Sequence, residues 1–537
     1  MGSKQRWQTR DISEELAARY RAEGWWTDQT LGQLVADGLA ASADAELAVH
    51  SMMRPYRGSI GEVAAAAGEF AGWLGAQGIG PGDVVVFQLP NWMEAAVAIW
   101  GSALAGVTVV PVVHFYGAKE IGHIVRVTEP TLIITPDRFG PLDYVERYTE
   151  LIGASGTRWL VVGDTPGDQL PAGAQPFSVA LGGQALAAPV PVDPDQPALI
   201  AFTSGTTRDA KGVIHSHRTI ACEVRDLGSH MPGSGRPPIN GAPVGHFIGM
   251  LGGLLCPLVR GGESIHFIDV WNPGEVLRLM VEEDLVMLGG ATYFLTSLLD
   301  HPDFTDEHIG HIPQLGLGGS SVPAAVTERA AGLGIKVFRA YGSTEHPSIT
   351  GCSLDDPEDK RLHTDGRPFA GIEIRLDEGG QILSRGPDLC LGYTDPTLTA
   401  NAFDDDGWYH TGDVGVLDDD GYLTIVDRVS DVIIRGGENI SPMEVEELLL
   451  GLDAVAEVAV VAAPDERLGE RAAAVVRLRE GREAPTLDDV RAALDAAGLA
   501  KQKWPESIHV VDEFPRTPSG KVQKFVLRQQ LRNGQFP

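Results

Sequence analysis

Up to about residue 430 the chain alternates two kinds of pattern. Short runs of β-branched and aliphatic residues occur at Asp83–Pro90, Val107–Val113, Thr131–Pro136, Leu199–Gly205 and Lys336–Gly342. Between them lie longer helical stretches, of which the Ala-rich Asn91–Gly106 is the plainest. Apolar runs of strand length mark strands covered on both faces, so the alternation predicts an α/β fold of parallel or mixed sheets packed under helices. The Pro-, Gly- and Ala-rich segment Gly163–Pro197 reads as a surface connection inside the same large domain. A second change falls at Val426–Asp431. Beyond it, apolar runs at Val455–Ala463, Ala472–Leu478 and Ser507–Val511 alternate with helical patterns at Ser441–Leu452 and Thr486–Gly498, which predicts a small α+β domain. The expected division is a large domain over 1–429 and a small one over 430–537. No internal repeat or low-complexity tract points to another architecture.

Composition narrows the function classes. At 537 residues, 43% of them hydrophobic, the chain is long enough for roughly three or four folding units. Acidic residues outnumber basic ones 73 to 42, a net charge of −31, which opposes nucleic acid or an anionic membrane as partner. The densest basic segment, Lys521, Lys524 and Arg528, is diluted by apolar residues and reads as solvated surface. Cys222, Cys256, Cys352 and Cys390 are far apart and lack zinc spacing, so reduced, buried thiols are expected. The first residues lack the apolar core of a signal peptide, and the expected location is cytoplasmic. Ala95–Val113 is apolar enough to imitate a membrane span, but Gly106 and Pro111 divide it into a helix and a strand.

The chemistry is carried by motifs. Thr203-Ser-Gly-Thr-Thr-Arg-Asp-Ala-Lys-Gly212 follows an apolar strand and combines hydroxyls, glycines and a lysine, as a loop around a phosphate chain would. It is not a Walker A loop, because Ala210 and Gly212 stand where Gly and Ser or Thr are required. Six further segments follow in order: Tyr341-Gly-Ser-Thr-Glu345, Gly366-Arg-Pro368, Trp408-Tyr-His-Thr-Gly-Asp413, Asp427-Arg428, Gly436-Gly-Glu-Asn439 and Pro515-Arg-Thr-Pro-Ser-Gly-Lys521. With these the chain resembles the acyl- and aryl-CoA synthetases of the adenylate-forming superfamily, which also holds peptide-synthetase adenylation domains and beetle luciferase. The resemblance runs from Gln88–Trp92 to Lys521.

That resemblance implies an AMP-forming carboxylic acid–CoA ligase using ATP, Mg²⁺ and coenzyme A, with a fatty, alicyclic or aromatic acid. It implies that Thr203, Ser204, Gly205, Thr206, Thr207 and Lys211 cradle the ATP phosphates, although Arg208 replaces a family glycine and Ala210 a proline. Tyr341 would lie against adenine, with Gly319 and Gly342 in the nucleotide-binding set. Thr344 would bond the α-phosphate, and Glu345 with Thr206 would hold Mg²⁺, a hard cation that prefers oxygen ligands. Asp413 would accept from the ribose hydroxyls and Arg428 would add a donor. Lys521, in the mobile small domain, would stabilise the charge that builds when a carboxylate attacks the α-phosphate. His246, in Pro243–Gly249, matches a histidine between the acyl and pantetheine tunnels, and Gly436 and Gly437 would line the latter. Ser430 would be the hinge residue.

Several residues receive structural readings instead. His215 and His217 form an HxH without a third metal ligand at suitable spacing, and Trp100, Trp408 and Trp504 read as packing anchors. Small residues at Gly289–Thr292 and Gly316–Ser320 suggest a roomy acyl pocket. The rival functions are an acyl-AMP ligase loading a carrier protein, a luciferase-like oxygenase and a non-catalytic nucleotide-binding protein. The last is disfavoured because Lys521 and Glu345 are both present.

Overall fold

The computed structural model describes residues 6–203, 210–230, 233–319, 322–429, 431–435, 438–465, 467–516 and 521–536. At its centre is an eight-stranded sheet in the order Gly392–Tyr393, Lys211–Ser216, Pro197–Thr203, Thr108–Pro111, Val84–Phe87, Leu132–Pro136, Arg158–Val162, Ala174–Pro176. From Pro197–Thr203 onward neighbouring strands are parallel. Val84–Phe87 and Thr108–Pro111 are buried at every position, as their unbroken apolar runs require. The expected surface connection over 163–197 supplies the edge strand Ala174–Pro176, and then runs back over the helices, with backbone bonds from Leu186 to Gly68 and from Val190 to Leu104.

The membrane-like segment is indeed core. Helix Met93–Leu104 is buried along almost its whole length, and a Cβ on Gly101 would lie 2.7 Å from the Ala67 carbonyl of the neighbouring helix Ile60–Ala76. Such close approach is what glycine permits. Trp100 Nε1 donates to the Leu254 carbonyl at 3.1 Å, which satisfies the one polar atom of a fully buried ring. Gly106, at φ +70°, makes the turn into Thr108–Pro111. Among the described residues no helix is long and apolar enough to cross a membrane.

Two further sheets flank the cleft described below. One, ordered Gly289–Gly290, Gln314–Leu317, Lys336–Tyr341, Thr350–Gly351, Arg367–Pro368, packs on its own apolar cluster. The other is an antiparallel sheet ending in Tyr409–Leu417 and Leu423–Arg428. A four-stranded sheet built on Glu46–His50 and Ile265–Ile268 completes the large domain. The small domain has its own sheet, with Val455–Asp465 antiparallel to Gly469–Leu478 and Ser507–Val510 parallel to the latter. Its core, formed by Ile433, Ile440, Val445, Leu449, Val460 and Leu494 among others, is separate from those of the large domain. All four cysteines are free and buried.

Candidate active site

A cleft of about 1850 Å³ runs between the two domains, and the expected site residues that are described line it. Thr203 and Lys211 face each other as the last register pair of an antiparallel hairpin. Ser204, Gly205, Thr206 and Thr207, with Arg208, lie outside the described residues, and so do Ser430, Gly436 and Gly437. Lys211 Nζ stands 5.9 Å from the centre of the Tyr393 ring, a cation–π distance.

Strand Lys336–Tyr341 delivers its last residue to the cleft, and a tight turn follows. A Cβ on Gly342 would lie 1.7 Å from the Pro347 carbonyl, so only glycine fits there. The turn is closed by Ser343 N–H to the His346 carbonyl at 2.9 Å, and it presents Thr344 and Glu345 to the cleft. His215 Nε2 donates to the Thr344 carbonyl at 2.8 Å while its ring stacks on Phe247, 5.1 Å between centroids. Half of the HxH is thus a brace under the turn; His217 is buried beside it in sequence and has no contact with the cleft.

Asp413 and Glu345, two carboxylates of the large-domain wall, are each pinned. Asp413 is paired in register with Arg428 on the adjacent strand, accepting from Arg428 Nε on Oδ1 and from the Tyr341 hydroxyl on Oδ2, both at 2.7 Å. The Tyr341 hydroxyl in this structure is therefore committed to Asp413. Burial and the Asp413 charge push the Tyr341 phenol well above its ordinary range, while Asp413 holds Arg428 protonated. Glu345 is 9% exposed and accepts from the Tyr393 hydroxyl on Oε1 at 2.8 Å, leaving Oε2 for another partner. Tyr393 was invisible to motif reading. It lies 48 residues from Glu345, and only the fold joins them.

The small domain contributes Lys521, whose ammonium stands in the field of Arg428, Asp413 and Glu345. Enclosure by surrounding protein, then Arg428, hold its pKa down to about 8 against the pull of the two carboxylates. Its exposed surface opens into the cleft. His246, the cap residue of the short helix Phe247–Met250, feels the same lysine; burial and then Lys521 bring it down to about 4, so the imidazole is neutral. Its Nδ1 is buried with no hydrogen-bond partner among the described residues.

Lys524 and Arg528 correct the reading of the basic tail as solvated surface. Lys524 Nζ pairs with the Glu446 carboxylate at 2.7 Å and Arg528 Nη1 with Asp431 at 2.9 Å, all four side chains being less than a fifth exposed. They fix the last helix, Lys524–Arg532, against the start of the small domain. Arg516 lies 5.3 Å over the Tyr293 ring of the large domain, a contact across the cleft.

Residues 40–394 match the AMP-binding enzyme family and residues 444–521 the AMP-binding enzyme C-terminal domain. The chain belongs to this adenylate-forming family and is an AMP-forming acyl-CoA ligase by class. It is 37% identical over 482 residues to a 3-[(3aS,4S,7aS)-7a-methyl-1,5-dioxo-octahydro-1H-inden-4-yl]propanoyl:CoA ligase of Rhodococcus jostii (strain RHA1), covering 86% of this chain and 92% of that one. It is 32% identical over 538 residues to the medium-chain fatty-acid–CoA ligase of Escherichia coli (strain K12), covering 97% and 94%. Among solved structures, ATP-bound MatB from Rhodopseudomonas palustris superposes with a TM-score of 0.82 at 27% identity over 94% of this chain and 99% of that one. The apo form of the same enzyme gives 0.71.

Proposed function

We propose that the chain activates a fatty, alicyclic or aromatic carboxylic acid in two half-reactions. A carboxylate oxygen attacks the α-phosphorus of ATP, forming the acyl-adenylate and expelling pyrophosphate; the thiolate of coenzyme A then displaces AMP to give the thioester. The observation that carries this reading is the meeting of Lys521, from the small domain, with Asp413, Glu345, Arg428 and His246 in one cleft. Two anions must approach each other in the first step, and an ammonium beside them offsets their repulsion in a partly water-excluded site. Asp413 would receive the ribose hydroxyls, exchanging its Tyr341 bond for them, while Arg428 stays in place. Thr203, Lys211 and the hydroxyl-rich loop between them would hold the pyrophosphate portion, and Thr344 the α-phosphate. Gly319, Tyr341 and Gly342, all on the cleft wall, would border the adenosine.

Mg²⁺ fits the wall: Glu345 offers a hard oxygen, Oε2, turned from its Tyr393 bond and close to where phosphates would lie. Bound there, the ion would neutralise phosphate charge, and Thr206 would share in holding it. His246 stays neutral, so it can guide a thiol or acyl group without attracting phosphate away from Lys521. Its orphaned Nδ1 is a polar atom that a ligand can satisfy. The second step requires Lys521 to leave, with Ser430 as pivot and Gly436 and Gly437 moving in beside the pantetheine. The better match to ATP-bound MatB than to its apo form supports assigning the present arrangement to the first step.

The acid class is supported by relatives named for a medium-chain fatty acid and for a bicyclic propanoate. The glycine-rich walls Gly289–Gly290 and Gly316–Gly319 leave room for either. Acid-dependent pyrophosphate release across a panel of aliphatic, alicyclic and aromatic acids, with and without coenzyme A, tests it. Release with several of these acids and thioester only when coenzyme A is present is expected. Adenylate that accumulates unchanged with coenzyme A present would favour a carrier protein as acceptor.

A further inference from the structure

Behind the Tyr341–Ser348 turn lies a second acidic centre that the reaction chemistry does not use. Helix His217–His230 carries Glu223, which has no exposed surface, and the segment after Gln381–Arg385 carries Asp388, 3% exposed. Ser348 Oγ donates to Glu223 Oε1 at 2.9 Å, and His346 Nε2 lies 3.2 Å from Asp388 Oδ1 while its Nδ1 lies 2.7 Å from Ser384 Oγ. The two remaining oxygens, Glu223 Oε2 and Asp388 Oδ2, are buried and have no donor among the described residues. Yet both carboxyl groups are bonded to the same turn, at His346 and Ser348 two residues apart, and the Asp388 charge acts directly on Glu223. Two ionised carboxylates cannot occupy such a place, and one proton between them removes both unsatisfied oxygens at once.

We propose that Glu223 is a carboxylic acid whose O–H donates to Asp388, and that this shared proton pins the turn bearing Thr344 and Glu345 from behind. Every donor in the cluster then has one acceptor. Ser384 O–H donates to His346 Nδ1, His346 Nε2–H and Glu223 O–H both donate to Asp388, and Ser348 O–H donates to Glu223. Asp388 is the single anion in which the chain ends. Crowding holds the parts in register: a Cβ on Gly386 would lie 2.7 Å from His346 Nε2 and 3.0 Å from Asp388 Oδ1. Glu223 is thus a positioning residue. It touches the turn 125 residues away through Ser348, and the turn in turn aims Glu345.

The surroundings favour the acid form. Cys222 and Asp226 face the pair from the same helix, Cys256 from the helix Cys256–Arg260, and His215 from its strand. Arg225, its nearest guanidinium in sequence, turns outward to the Trp25 carbonyl and Gln29. Arg10, bonded to the carbonyls of Cys390 and Leu389, acts on the Asp388 charge and favours keeping the anion there. His230 pairs with Asp226 at 3.5 Å. Burial and then the Asp388 charge push Glu223 well above the usual carboxylate range. Its proton is therefore kept at neutral pH and given up only as pH rises.

This rests on Glu345 working from that turn, so the test has one arm that does not depend on it. Infrared spectra of the whole chain at pH 7 should contain a protonated-carboxyl stretch that vanishes in Glu223→Gln. Absence of that band in the parent overturns the shared proton, whatever Glu345 does. In the second arm, Glu223→Gln keeps both bonds, its amide donating to Asp388 and accepting from Ser348. Its pyrophosphate release should stay within about threefold of the parent, whereas Glu223→Ala should lose on the order of ten- to a hundredfold. The ratio of the Gln variant's rate to the parent's should climb as pH rises, since only the parent can ionise there. Equal damage by Gln and Ala, a flat ratio, or a fully active Ala variant would each defeat the pinning role. If the alanine chain does not fold, Asp388→Asn replaces it: removing the anionic acceptor must shift the Glu223 band, and an unmoved band refutes the pairing.

Discussion

The two walls of the cleft are built on opposite principles. On the large-domain side three of the expected site groups are held by partners before any substrate arrives: Asp413 by Arg428 and Tyr341, Glu345 by Tyr393, the Thr344 carbonyl by His215. On the small-domain side Lys521 comes from a domain with its own core, and its charge is held at a cost, its pKa lowered to about 8. The first wall is preorganised and fixed; the second is delivered. That contrast suits an enzyme that must present one set of groups for adenylation and then clear part of it away.

The contrast is broken most severely by removing the delivered charge. Lys521→Ala should lower adenylation by about a thousandfold, on the scale of losing an electrostatic stabiliser. Thioester formation from a supplied acyl-adenylate should stay near normal; acid-dependent pyrophosphate release close to the parent's would show that Lys521 is not the stabiliser. Glu345→Gln comes next. It preserves shape and removes charge, so the Mg²⁺ concentration for half-maximal rate should rise at least about tenfold, with AMP affinity little changed by calorimetry. Parent-like Mg²⁺ dependence would take the metal away from Glu345.

A finer probe is Tyr393→Phe, which deletes the bond that aims Glu345 and leaves the ring under Lys211. A loss of about three- to tenfold in kcat, with the acid's KM unchanged, is expected from one hydrogen bond to a carboxylate. The smallest effect concerns pH. Because the Lys521 pKa sits near 8, the rate at low ATP should decline as pH rises through that value, and saturating ATP should push the decline to higher pH. An identical alkaline limb at both ATP levels would mean that another group governs it.

One residue of the delivered wall and three charged residues of the fixed one could be read in the sequence, for a physical reason. Lys521, Glu345, Asp413 and Arg428 sit in short contiguous motifs whose spacing is set by a turn or a strand pairing, and such local constraints leave a mark in the linear chain. Their supports do not. Tyr393 meets Glu345 across 48 residues, and Glu223 meets Ser348 across 125. In the sequence Glu223 is one more acid on an amphipathic helix, and nothing near it tells that the fold will seal it against Asp388. The basic tail was misread on the same account. The partner of Arg528 is Asp431, 97 residues earlier, so local composition suggested solvent where the fold supplies a salt bridge. The alternation of strands and helices was legible because burial on both faces leaves a pattern in every strand. The edge strand Ala174–Pro176 was not, since two of its three residues are as polar or rigid as any loop.

The lowered pKa of Lys521 makes nucleotide capture a proton-consuming event. At pH 7 a group titrating near 8 is about one-tenth deprotonated, and at pH 8 about half. The negative phosphates would raise that value, so filling the cleft must draw the missing fraction of a proton from solution, most of it near pH 8 and almost none near pH 6. Calorimetric heats of ATP binding should then vary with the ionisation enthalpy of the buffer at pH 8, a dependence that Lys521→Ala abolishes. In cellular terms the cleft would bind ATP slightly better as the surroundings acidify, tying acid activation to the local proton concentration through one side chain.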